Sequence, residues 1–237
     1  MPIYQLTLID RKIIAHETIE CHFEKPAELT FTPGQYGGFT LPELQAIDIK
    51  QATRRFSLLS TPHDSYLAIA TRIQNSLYKR TLANLPIGGK IKFAGPSGNF
   101  ILHEDMTKPV ILIAGGIGIV PFYSMIRETL HQPSERSLTL FYGNESIETT
   151  AFYTELETLS KTQSTFKFIP TFSTYPSEWL GEKGWITDQM IKKYVSDLYA
   201  PIYYVCGAGG MVSAIHNLLH ELDIPEDQIR CEDFPGY

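Results

Sequence analysis

Cysteine is scarce in this chain: Cys21, Cys206 and Cys231 are the only three in 237 residues, and they lie far apart. That fits a reducing compartment and excludes a local C-x4-C-x2-C iron–sulfur framework within the chain. No run approaches the ~18–20 apolar residues of a membrane span. The opening MPIYQLTLIDRK lacks the charged-then-apolar shape of a secretory signal. A soluble, cytoplasmic protein is expected. No basic block gathers the Lys and Arg residues, and the formal net charge is −6, which weighs against nucleic acid as a partner. No internal repeat or low-complexity segment is visible. Ser97, in GPSGNF, does not make the G-x-S-x-G elbow of a hydrolase.

What is present is globular in kind, with 43% hydrophobic and 19% charged residues and a length that suits two modest domains. The centre of organisation is VILIAGGIGIVP, residues 110–121. Its first five residues are apolar and mostly β-branched, the pattern of a strand buried on both faces. Gly115, Gly116 and Gly118 then allow a tight turn and a close backbone approach to a ligand. Pro121 fits the first turn of a helix, where its missing N–H costs nothing. Strand, glycine turn and helix N-terminus together make a phosphate-holding device. The third glycine of G-x-G-x-x-G is absent, because Pro121 stands near its place. A phosphate-loop lysine is also absent, since the turn runs into Ile119-Val120-Pro121.

Before this turn the chain reads as an antiparallel β-barrel, residues 1–103. Short β-rich stretches at 4–11, 13–22, 39–41, 54–59, 66–71 and 90–94 are separated by turn residues such as those of Thr32-Pro33-Gly34-Gln35. One helix interrupts them, with Ser76 as N-cap and Tyr78, Leu82 and Leu85 at helical spacing before Pro86. Within Arg54-Arg55-Phe56-Ser57, a strand would project Arg54 and Phe56 from one face and Arg55 and Ser57 from the other. A permanently charged fork, an aromatic plate and a hydroxyl donor are what a flavin nucleotide requires.

After it, strands and helices alternate over 104–237, the pattern of an α/β parallel-sheet nucleotide-binding domain. Strands are expected at 110–114, 138–142, 166–171 and 202–206, with helices at 150–160, 187–195 and 211–222 between or after them. Their carboxyl ends would gather at one edge, where a ligand should lie. Gly143-Asn144-Glu145 ends the second strand, where nucleotide ribose is generally read. Glu145, with no basic residue between 143 and 150, favours NADH over NADPH. His216 and His220 stand four apart on a helix, as metal-binding pairs do, but no Glu follows His216 and no third ligand is expected nearby. No metal site is expected.

The order of FTPGQY (31–36), RRFS (54–57), SLYKR (76–80), GPSGNF (95–100), the glycine turn and CGAGGM (206–211) resembles the ferredoxin–NADP reductase superfamily over nearly the whole chain. It is most similar to bacterial members that stand alone or serve oxygenases. The resemblance implies FAD in the first domain and NADH or NADPH in the second. Arg54 would bind the flavin phosphate, Phe56 would stack on the isoalloxazine, and Ser57 would donate to its reactive edge. Relatives usually carry tyrosine where Phe56 stands, so one hydroxyl contact is lost. Thr71 and Arg72 would lie beside the ring. Ser76 to Lys79 takes the place of the G-x-x-S helix start facing the pyrophosphate, with its glycine replaced by Asn75 or missing. Cys206, Gly207 and Met211 match a C-G-P-P-x-M element that presents a thiol to the nicotinamide, although Ala208 and Gly209 replace both prolines. Glu232 and Phe234 would lie over the flavin, and Tyr237 could cap the adenine or ring edge. Gly115, Gly116, Gly118 and Pro121 would receive the nicotinamide donor.

The expected activity is passage of a hydride from NAD(P)H to FAD, then of single electrons to a separate acceptor, a ferredoxin or an oxygenase component. A free flavin or ferric chelate stays open as acceptor. The alternatives are a non-catalytic flavin- or nucleotide-binding electron-transfer or sensor subunit, for which the altered 208–209 turn speaks, and a flavin-free nucleotide-binding protein.

Overall fold

A long strand, β1 (Ile3–Ala15), runs through the middle of the first sheet and pairs on both sides. The computed structural model describes residues 2–45, 47, 51–73, 76–131 and 135–234, so Asn75 and Tyr237 lie outside the described residues. The chain forms two units, Met1–Leu102 with Tyr123–Glu128 and His103–Phe122 with Thr129–Tyr237.

The sequence places a break near Lys12, between two short strands. Instead β1 continues to Ala15 and turns at His16 and Glu17 into β2 (Thr18–Glu24), with Lys12 still paired opposite Glu20. Glu17 takes the left-handed conformation at φ 51°, which nothing in its residue type announces. β3 (Tyr36–Thr40), α1 (Pro42–Gln45), β4 (Thr53–Ser57), β5 (Tyr66–Arg72), α2 (Leu77–Asn84) and β6 (Lys90–Ser97) complete this unit. All its pairings are antiparallel, in the order β4-β3-β6-β1-β2-β5. The sheet is barrel-like but not closed, since β4 and β5 are its edges among the described residues. Its inward face buries Leu6, Phe23, Phe39, Leu67 and Phe93, with Tyr78 and Leu82 of α2 packed against them. Each such side chain contributes roughly 1.5–3 kcal/mol of burial.

The second unit alternates strands and helices. β7 (Val110–Gly115) leads through a 3-10 turn (Gly116–Gly118) into α3 (Ile119–His131), of which Tyr123–Glu128 is counted with the first unit. Then follow β8 (Leu138–Asn144), α4 (Tyr153–Thr162), β9 (Phe166–Phe172), β10 (Glu182–Lys183) and α5 (Asp188–Tyr194). β11 (Ile202–Ala208), α6 (Gly209–Glu221) and β12 (Ile229–Phe234) end it. The six strands are parallel in the order β10-β9-β8-β7-β11-β12. Val110–Ala114 are buried on both faces, as their β-branched run predicts. α5 is capped by Thr187, whose hydroxyl accepts from the Met190 amide at 3.2 Å. α4 begins three residues later than expected, because the Thr149 and Thr150 hydroxyls both donate to the Ser146 carbonyl and hold a turn there. No helix among the described residues is long and apolar enough to cross a membrane.

A polar network ties the start of this unit to its end. The Tyr204 hydroxyl accepts from the His103 amide at 2.8 Å and from the Arg230 guanidinium at 2.9 Å. Arg136, almost wholly buried, donates to the His103 carbonyl at 2.6 Å.

Candidate functional site

In the first unit, β4 places Arg54 and Phe56 on one half-buried face, as strand alternation predicts. Beneath both lies Tyr78, fully buried on α2, its hydroxyl donating to the Phe39 carbonyl at 2.9 Å. The Arg54 guanidinium sits 5.7 Å from the Tyr78 ring centre, and the Phe56 ring 5.8 Å from it. Burial raises the Tyr78 phenol well above its usual range, so this support stays neutral. The sequence places Tyr78 only at helical spacing with Leu82 and Leu85. The structure makes it the platform for the two residues that the sequence singled out.

Ser57 is buried and pairs with Tyr36, and Thr71 is buried with its hydroxyl donating to the Arg72 carbonyl at 3.3 Å. Ser76 holds the N-cap position of α2, but its side chain makes no capping bond, and no acid stands in the first helical turn. Lys79, in that turn, is lowered from its ordinary value by burial and then by the positive charges of Arg54 and Arg72. Cations collected at an uncapped helix N-terminus are complementary to a phosphate. The residues present therefore fit a flavin nucleotide: charge for its phosphates, and a supported aromatic edge for its ring.

In the second unit the strand order reverses between β7 and β11, since β7 is followed in sequence by β8 on one side yet pairs with β11 on the other. Open parallel sheets bind ligands outside such a switch point, at the carboxyl ends of the strands. The two ends here approach unusually closely. A Cβ on Gly118 would lie 2.2 Å from the Cys206 carbonyl oxygen, and one on Gly207 would lie 3.3 Å from the Gly115 carbonyl. Gly116 sits at φ 54°. The Met211 sulfur would lie 3.2 Å and 3.1 Å from a Cβ at Gly115 and Gly207, so Met211 packs beneath both glycines. Pro121 is buried in the first turn of α3. These residues leave backbone at the sheet edge where the pyrophosphate and nicotinamide of a dinucleotide can approach.

β8 ends at Asn144, with Glu145 exposed just beyond it and its carbonyl accepting from the Thr174 amide at 2.7 Å. Both polar side-chain atoms of Asn144 are buried without a hydrogen-bond partner among the described residues. A donor and an acceptor left together at a strand end suit a sugar hydroxyl, a role for which the sequence singles out only Glu145.

The tail is not a loose terminus through Phe234. β12 pairs in register with β11, setting Glu232 opposite Cys206 and Phe234 opposite Ala208. Cys206 is fully buried, and burial, Glu232 and Asp233 raise its thiol well above the usual range. It is a neutral thiol. Burial, with Asp233 adding to it, raises Glu232 to about 7, and its Oε2 is buried without a hydrogen-bond partner among the described residues. A carboxyl poised near neutrality can hold or release a proton at working pH.

One sequence reading is corrected. A third candidate ligand does stand near His216 and His220: Glu226 reaches them from the 3-10 turn Glu226–Gln228. The turn after Pro225 brings it back, which linear spacing conceals.

The chain thus combines an antiparallel barrel-like unit that has a cationic, aromatic edge with a parallel-sheet unit that has glycines at its switch point. Residues 112–217 match the family model for the oxidoreductase NAD-binding domain. Flavohemoprotein A of Dictyostelium discoideum is 28% identical over 96% of this chain and 59% of its own length. The reductase component of propane 2-monooxygenase from Mycolicibacterium goodii is 26% identical over 89% of this chain and 61% of its own. The flavohem-like FAD/NAD-binding domain of nitric oxide dioxygenase from Vibrio cholerae superposes with a TM-score of 0.80 at 18% identity, covering 97% of this chain and 98% of that one. The chain is similar in sequence to these proteins and shares the fold of the Vibrio cholerae domain. It spans about three fifths of the length of these two sequence relatives.

Proposed function

We propose that this chain is a flavin-dependent NAD(P)H oxidoreductase that delivers electrons to a separate acceptor, a ferredoxin or an oxygenase component. The observation that carries this reading is the cluster of Arg54, Arg72 and Lys79 at the uncapped start of α2, beside the Phe56 ring on its Tyr78 support. When bound, FAD supplies the chemistry, taking a hydride from the nicotinamide and releasing electrons one at a time. The chain's own residues bind and orient. Arg54 and Lys79 neutralise phosphate, Phe56 covers the ring, and Ser57 donates to its edge. Gly115, Gly116 and Gly118 admit the dinucleotide backbone; Asn144 and Glu145 receive its ribose. Cys206 offers a neutral thiol, Glu232 holds a proton, and Phe234 shields the nicotinamide position. The monooxygenase reductase component supports an acceptor on another protein.

The visible spectrum on rapid anaerobic mixing tests the whole scheme. A flavin band bleached by NADH or NADPH is expected. A flavin band that neither donor bleaches would leave the electron-transfer or sensor reading, and a colourless protein would leave the flavin-free one.

Two substitutions probe the parts. Arg54→Ala removes the permanent charge and should lower the flavin retained through purification by about tenfold, the ~1.4 kcal/mol scale of one lost charge-assisted contact. Unchanged occupancy would refute the phosphate role. Glu145→Arg places a fork where a 2′-phosphate would sit and should raise the NADPH-to-NADH ratio of kcat/KM several-fold. Equal ratios in both proteins would remove Glu145 from donor selection.

A further inference from the structure

The structure assigns a divalent transition-metal site to His216, His220 and Glu226. His216 and His220 stand one turn apart near the end of α6, on one face, with ring centres 4.7 Å apart. After α6 the chain reverses: the Asp223 amide donates to the His220 carbonyl at 2.9 Å, and Ile224 is buried against the second core. Pro225 then starts the 3-10 turn that carries Glu226 back to the helix.

The donor atoms converge. His216 Nε2 lies 3.3 Å from Glu226 Oε1, and His220 Nε2 lies 2.8 Å from Glu226 Oε2. One donor atom from each of the three residues falls within 4.8 Å of the others. Ligands bound tetrahedrally to zinc at ~2.0–2.2 Å stand about 3.3 Å from one another, a length that the His216–Glu226 pair already has, and the other separations, between 2.8 Å and 4.8 Å, need only side-chain rotation to reach it. Two imidazoles and one carboxylate are the donor set of zinc and its neighbours, whereas calcium and magnesium take oxygen alone. The residues are exposed or half-buried, so water completes the shell and the ion enters from solvent.

The ion would act as a clip, not as a catalyst. It would fasten the end of α6 to the segment leading into β12, the strand that carries Glu232. Because it binds the folded chain and not the unfolded one, it should raise the unfolding temperature in proportion to its occupancy.

Titration of the full chain, stripped with chelator, with zinc chloride alone decides the matter. One zinc per chain should bind saturably, with a rise in unfolding temperature. Replacing Co(II) for zinc should give a visible absorption band of a low-coordinate site. His220→Ala and Glu226→Gln should each weaken zinc by at least the ~10–100-fold that losing even an outer-shell partner costs. His131→Ala, on exposed α3 surface, should leave binding unchanged. Glu226→Gln preserves shape at an exposed position, so its unfolding temperature in chelator should equal that of the parent chain, and loss of zinc there marks a lost ligand. Equal zinc affinity in the parent chain and in both site variants would overturn the assignment, as would no saturable binding below about 1 mM.

Discussion

Gly118→Ala should lower the unfolding free energy of the second unit by about 2–3 kcal/mol, far more than a single methyl group normally costs in a turn. The new Cβ would lie 2.2 Å from the Cys206 carbonyl oxygen, 2.6 Å from its carbon and 2.7 Å from the Gly207 Cα. All three are backbone, so no side chain can swing aside. Either β11 moves away from β7 at its carboxyl end or the 3-10 turn shifts outward, and both loosen the switch point. Gly210→Ala supplies the contrast, because a Cβ there meets nothing within 4 Å and falls within α6. It should be neutral or stabilise by about 0.5–1 kcal/mol. Urea midpoints at unchanged slope measure both. Equal midpoints for the two variants would show that the close approach carries no energy.

Glu232→Gln should make the protein more resistant to unfolding at pH 8 than the parent chain, by up to about 3 kcal/mol, and should lose that advantage toward pH 4.5. In the unfolded chain the carboxyl titrates near its ordinary 4.5, whereas in the folded protein burial and Asp233 raise it to about 7. Below the lower value both states are protonated and the group contributes its full share of stability. Between the two values the unfolded chain releases the proton that the folded one keeps, so stability falls as pH rises. Above about 7 the loss is complete, and a neutral amide is spared it. Unfolding curves for both proteins across pH 5–8 give the difference directly. A gap that stays constant over that range would sink the assignment.

What the sequence revealed follows from how local each signal is. The β-branched run 110–114 and the glycines after it specify β7 and its turn, because burial on both faces and a tight reversal leave few other residue choices. Arg54 and Phe56 share a face simply through strand alternation. Ser76 was legible as the start of α2, but not that its hydroxyl would leave the helix uncapped. The β1–β2 reversal was misplaced because Ile13 looks inward by type while being 82% exposed, and Glu17 carries no mark of its left-handed turn. β12 was hidden for a different reason. IRCEDF has no strong strand pattern of its own and becomes a strand through pairing with β11. Glu226 beside the two histidines and Tyr78 beneath Arg54 are likewise products of tertiary return.

The Tyr204 network has a consequence for synthesis on the ribosome. The hydroxyl that anchors His103, the first residue of the second unit, is itself held by Arg230, in its last strand. β12 also supplies the outer neighbour of β11. During translation the first unit can draw all its strands from residues already made, while the second completes the network around its opening segment only when Arg230 has emerged. A nascent chain halted before residue 229 would carry a finished amino-terminal sheet followed by a second unit that lacks β12.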